Sequence, residues 1–177
     1  SQLRNLLNAK EYRDLDREYH KLLAKGIQIT TLDCKDYPLK LAMIPDPPYC
    51  LYYKGKLPRE DRISVALIGA RECSEYGRYL ATEIGKELAL SGIQIISGMA
   101  RGIDGIGQMS ALEYGGTSFG VLGCGVDICY PKSNERLYQE LLNKGGILSS
   151  FPPGTFPKRS LFPPRNRIVS GLCDALL

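Results

Sequence analysis

Four times between residues 63 and 154 the chain runs through an apolar stretch and then breaks. Ile63-Ser64-Val65-Ala66-Leu67-Ile68 stops at Gly69, Ile93 to Ser97 at Gly98, Ser118 to Leu122 at Gly123, and Ile147 to Ser150 at Phe151-Pro152-Pro153-Gly154. Runs this continuously apolar suit parallel strands covered on both faces. Helical spacing fills the intervals, over about Ser74 to Leu90 (Leu80, Ile84 and Leu88 on one face, Gly92 as terminator), Gly105 to Tyr114, and Asn134 to Asn143. Asp174 to Leu177 starts a fifth strand. The alternation predicts an α/β fold of extended Rossmann type, doubly wound around a mostly parallel sheet. Its crossovers are right-handed and its ligand crevice lies at the carboxyl ends of the strands.

The front of the chain reads differently. Residues 1 to about 25 have helical spacing (Leu3, Leu6, Leu7, Leu15, Tyr19, Leu22, Leu23) stopped by Gly26, and Ile27 to Thr31 is a short strand. Asp36-Tyr37-Pro38 opens a helical turn to Met43, and Pro45-Asp46-Pro47-Pro48 enforces an extended connection to a strand over Tyr49 to Lys54. The expected division is a small helical and stranded extension over 1–58 that packs on a core domain over 59–177.

Several chemistries are disfavoured. The first strand of the core is not followed by G-x-G-x-x-G, and no acid ends the second strand to hold a ribose, so a dinucleotide is not expected. His20 is the one histidine, and the six cysteines show no C-x-x-C, so neither a metal site nor any other cofactor is expected. Without a histidine near the loops there is no nucleophile–base pair, and the chain reads as a binder, not an enzyme. Irregularly spaced cysteines read as reduced thiols, and no apolar run approaches the roughly 20 residues that span a bilayer, so the expected setting is the cytoplasm.

What remains is positive charge placed on the predicted crevice. Glycine-rich turns after the strands expose backbone N–H groups suited to a phosphate. Arg71 and Arg101 lie in two of those turns; Asp104 is expected to cap the following helix and to pair with Arg101, leaving Arg71 as the better phosphate ligand. Between Leu141 and Cys173 there is no Asp or Glu, while Lys144, Lys158, Arg159, Arg165 and Arg167 supply five charges of a net +4. Phe156 and Phe162 interleave with these cations, a pattern suited to a single-stranded nucleic acid.

The motifs resemble the DprA/Smf family, the DNA-processing proteins of bacterial natural transformation. The resemblance is carried by Val65 to Arg71, Ser97-Gly98-Met99-Ala100-Arg101-Gly102-Ile103-Asp104, Gly115-Gly116-Thr117, Val121 to Asp127 with Tyr130-Pro131, Phe151 to Gly154, and Phe162 to Leu172. It extends forward through Leu51-Tyr52 to Asp36-Tyr37-Pro38. It implies a protein that binds and protects single-stranded DNA without cutting it, forms a homodimer and loads the recombinase RecA. It also implies further strands past the position of Leu177. By position, Arg71 would hold a phosphate, Arg159 and Phe162 would meet the strand as cation and stacking platform, and Arg165 to Arg167 would line the same pocket. The full candidate site is Gly69, Ala70, Arg71, Gly98, Arg101, Gly102, Lys158, Arg159, Phe162, Arg165, Asn166 and Arg167. Gln108 stands where the family usually has histidine, and Ser150 where it usually has glutamate. A different class, the lysine-decarboxylase-like nucleotide N-glycosidases, would need P-G-G-x-G-T-x-x-E; here Gly115-Gly116-Thr117 is followed by Ser118-Phe119-Gly120 with no glutamate.

Overall fold

The computed structural model describes residues 14–177. The first helix of the sequence reading falls partly outside that range; within it, α1 spans Leu15–Ala24 and is capped by Asp14, which accepts from the Arg17 N–H at 3.0 Å. The chain continues through β1 (Gln28–Thr31), α2 (Leu39–Ala42) and β2 (Cys50–Gly55). Next come β3 (Ser64–Ala66), α3 (Glu75–Leu90), β4 (Gln94–Ser97), α4 (Ile103–Glu113), β5 (Ser118–Val121), α5 (Glu135–Lys144), β6 (Gly146–Ser149), α6 (Phe162–Gly171) and β7 (Ala175–Leu176). Short 3₁₀ turns precede α5 and α6 at Lys132–Asn134 and Arg159–Leu161.

All seven strands form one sheet in the order β1-β2-β6-β5-β4-β3-β7. From β6 to β7 the strands are parallel, whereas β1 and β2 add an antiparallel edge in which Tyr52 pairs with Ser149. The chain winds outward from β3 to β6 and then returns through α6 to lay β7 on the other side of β3. This reversal is where a doubly wound sheet opens its crevice.

Alternation along the strands divides the core. Ala66, Ile96, Phe119, Val121 and Leu148 face α2 and α6, meeting Leu41, Ile168, Val169 and Leu172. Leu67 and Ile95 face α3 and α4, while Leu122 and Ile147 meet α4 and α5 through Leu112, Leu137 and Leu141. The result is a three-layer arrangement with helices on both faces. Because α6 alone crosses the second face to reach β7, its N-terminal end lies over the carboxyl ends of the central strands.

Candidate nucleic-acid interface

The crevice is built on Arg165, in the second turn of α6. Its side chain is buried, and Nη1 donates to the carbonyl of Gly98 at 2.8 Å and to that of Val121. The guanidinium thus joins the ends of β4 and β5, and the missing side chain of Gly98 leaves it room. A Cβ there would stand 2.7 to 2.9 Å from the guanidinium atoms. Burial pulls Arg165 below the ordinary arginine value, opposed by the nearby carboxylate of Asp104. An arginine remains charged under such a shift, so the floor of the crevice carries a fixed cation.

Asp104 corrects two expectations. The N-terminal residue flanking α4 is Gly102, at φ 78°, with no side-chain cap. Asp104 instead accepts from the backbone N–H groups of Gly69 and Gly98, each at 3.1 Å. It makes no ion pair with Arg101 among the described residues. The glycine N–H groups expected to face a phosphate are therefore satisfied from inside the fold by this buried carboxylate. Gly102 has its own reason to be glycine, since a Cβ would collide with the Ala70 carbonyl, to which Ile103 N–H donates at 3.1 Å.

With those N–H groups engaged, the outward chemistry belongs to side chains. The Arg71 guanidinium lies 5.8 Å from the centroid of Phe162, and that of Arg165 5.7 Å from it. Tyr130 packs against the same ring at 6.0 Å with a 35° tilt and remains 45% exposed. Arg71 and Arg101 are exposed and enter no ion pair with a described residue. Together with Tyr130, Pro131, Ser133 and Phe162 they line a recess of about 150 Å³. It adjoins a cleft of about 510 Å³ walled by Ile68, Gly69, Arg71, Asn166, Arg167 and Leu176.

Most of the sequence-derived residues converge here; some differ in role. Arg167 lines the larger cleft but is tied to the Pro45-Asp46 loop, donating to both backbone carbonyls and to the Asp46 carboxylate at 3.0 Å. Asn166 accepts from Arg165 Nε at 3.2 Å. Ala70 contributes its backbone carbonyl. Lys158 and Arg159 are exposed and line neither cleft. Phe156 is 72% exposed.

Two contributors escaped the residue-level reading of the site. Tyr130 lay inside a quoted motif, but nothing in its spacing puts its ring beside Phe162. Asn134 donates to the carbonyls of Met99 and Ala100, both at 3.0 Å, and so braces the loop after β4, where Met99 sits at φ 54°. A Ser-Asn pair before a helix signals only a helix start.

Fold and site define a doubly wound α/β domain whose switch-point crevice has a buried cation as floor and exposed arginines and aromatics as mouth. The chain belongs to the family of DNA recombination-mediator protein A, whose pattern it matches over residues 28–177. It is 40% identical over 157 residues to protein Smf of Synechocystis, covering 86% of this chain and 39% of that one. To the DNA processing protein DprA of Streptococcus pneumoniae it is 40% identical over 145 residues, covering 82% and 50%. The chain spans about half the length of the curated relatives it matches. The X-ray structure of DNA processing protein A from Streptococcus pneumoniae superposes with a TM-score of 0.79 at 36% identity, over 89% of this chain and 56% of that one. That of the Helicobacter pylori protein, described for its binding of single-stranded DNA, superposes with a TM-score of 0.73 at 31% identity, over 84% and 67%. Among the described residues no helix is long and apolar enough to cross a membrane.

Proposed function

We propose that this domain binds single-stranded DNA at its switch-point crevice and serves recombination as a binder, without cutting the strand. The observation that carries the reading is the mouth of the crevice. Arg71 and Arg101 stand exposed, with no carboxylate partner among the described residues, beside Tyr130 and Phe162. Cations track phosphates, aromatic faces stack on bases, and only an unpaired strand offers both together. Arg165 fixes the floor, and Gly69, Gly98 and Gly102 hold the loops at the required closeness. Lys158 and Arg159 form an outlying positive surface that draws the strand in. The likeness to a Helicobacter pylori protein described as binding single-stranded DNA supports the same reading.

A homodimer, a hand-over to RecA and a cytoplasmic setting complete the proposal, supported by membership of a recombination-mediator family. So does the division of the chain at residue 58. The test is a titration of a labelled single-stranded oligonucleotide with duplex as competitor. Salt-sensitive binding that duplex fails to displace is expected; absence of binding at low salt would overturn the proposal.

A further inference from the structure

A second groove, of about 710 Å³, runs over the outer face of α4, walled by α3 and by the start of α5. Arg71, Arg101 and Ser133 line both this groove and the recess at the crevice mouth, so the two are continuous. Further along, Arg78 from α3 and Arg136 from α5 stand on its opposite walls. The acids in it are Glu72 and Glu113. Glu113 accepts from Arg136 at 3.0 Å, but with side chains 51% and 76% exposed the pair is well solvated and exchangeable. Arg78 pairs with no described acid.

Four arginines against two carboxylates leave the groove positive, and none of the four is buried. The floor complements a polymer better than a lone anion. Gly102 and Gly105 keep the floor low without side chains, while Ile106 and Met109 add half-buried apolar area between the cationic walls. Charges spaced along a trough with apolar patches between them match a strand that alternates phosphates with sugars and bases.

We infer that this groove is a second segment of the strand path. A single strand leaves the crevice between Arg71 and Arg101 and continues over α4, its phosphates meeting Arg78 and Arg136. The inference rests on the reading of the crevice as a single-strand site. It adds that the binding site is longer than the crevice and turns over the α3–α5 face of the sheet.

The experiment compares labelled oligothymidylates of about 4 and about 15 nucleotides, within the range of single-strand site sizes. For the double variant Arg78→Ala, Arg136→Ala, binding of the longer strand weakens about tenfold and its salt slope flattens by about 1.4, while the shorter strand binds as before. Glu113→Gln, which releases Arg136, tightens the longer strand alone. An unchanged longer-strand curve in the double variant, or equal loss at both lengths, would overturn the path. If Arg71→Ala also leaves both lengths unaffected, the crevice reading itself falls, and the path with it.

Discussion

Arg165 lies against the bare Cα of Gly98: Nη1 donates to the Gly98 carbonyl at 2.8 Å, and any Cβ would stand 2.7 to 2.9 Å from the guanidinium. A glycine at the end of β4 and an arginine 67 residues later are thus one structural unit. Gly98→Ala must push the guanidinium off the strand ends and leave the carbonyls of Gly98 and Val121 without their donor. The expected loss is about 2 kcal/mol in urea unfolding, together with weaker binding of single-stranded DNA. Wild-type stability in this variant would mean that the packing is loose.

Asp104 is the counterpart of that unit, binding the Gly69 and Gly98 N–H groups and facing the Arg165 charge. In Asp104→Asn an amide group would confront one of the two N–H donors, and the charge opposite Arg165 would be lost. A destabilisation of about 3 kcal/mol is expected from denaturant unfolding. A change of only a few tenths would show that the carboxylate is dispensable.

Phe162 is flanked by Arg71 and Arg165, which leaves the more exposed Tyr130 ring as the free stacking face. Tyr130→Ala is expected to weaken single-strand binding by about 1–2 kcal/mol, with Tyr130→Phe close to wild type. Equal loss in both variants would move the contribution from the ring to the hydroxyl.

At the other end of the sheet, Asp174 accepts from Lys40 Nζ and from the Ser64 N–H at 2.9 Å. The Lys40 hydrogen bond, then that of Ser64, holds its carboxyl below the usual carboxylate range. A folded-state value below the unfolded one stabilises above the unfolded pKa, and the contribution disappears as pH falls through the folded value. With Asp174 side chain 43% exposed, water screens the pair, so the contribution is about 1 kcal/mol or less. Asp174→Asn should lower stability at pH 7, and the deficit should be smaller near pH 3, below the unfolded aspartate value of about 3.9. The same deficit at both values would exclude the ionised carboxylate as its source.

The sheet was legible because its parallel strands are short apolar runs punctuated by glycine, and the convergence of four loops followed from their order. Burial of Gly98 and the positive φ of Gly102 serve close approaches that a glycine pattern only hints at. What the sequence left open was which polar group met which. Asp104 lies three residues from Arg101, yet it reaches the ends of two strands because α4 starts at Ile103 and turns the carboxylate inward. Arg165, Asn166 and Arg167 look alike as a basic cluster, but successive helix positions point in different directions. One is therefore buried under the strands, while Arg167 is drawn to Asp46. Tyr130 and Asn134 join the site across a distance that local spacing does not encode.

The most direct test of the crevice is the affinity for one single-stranded oligonucleotide, measured by fluorescence anisotropy from low to moderate salt, for wild type and for Arg71→Ala. Arg71 is exposed and forms no ion pair with a described residue, so its removal should leave the fold intact. The expected result is weaker binding with a logarithmic salt slope flatter by about 0.7, the share of one phosphate contact on a single strand. Superimposable curves for the two proteins would contradict it and remove the crevice mouth from the binding surface.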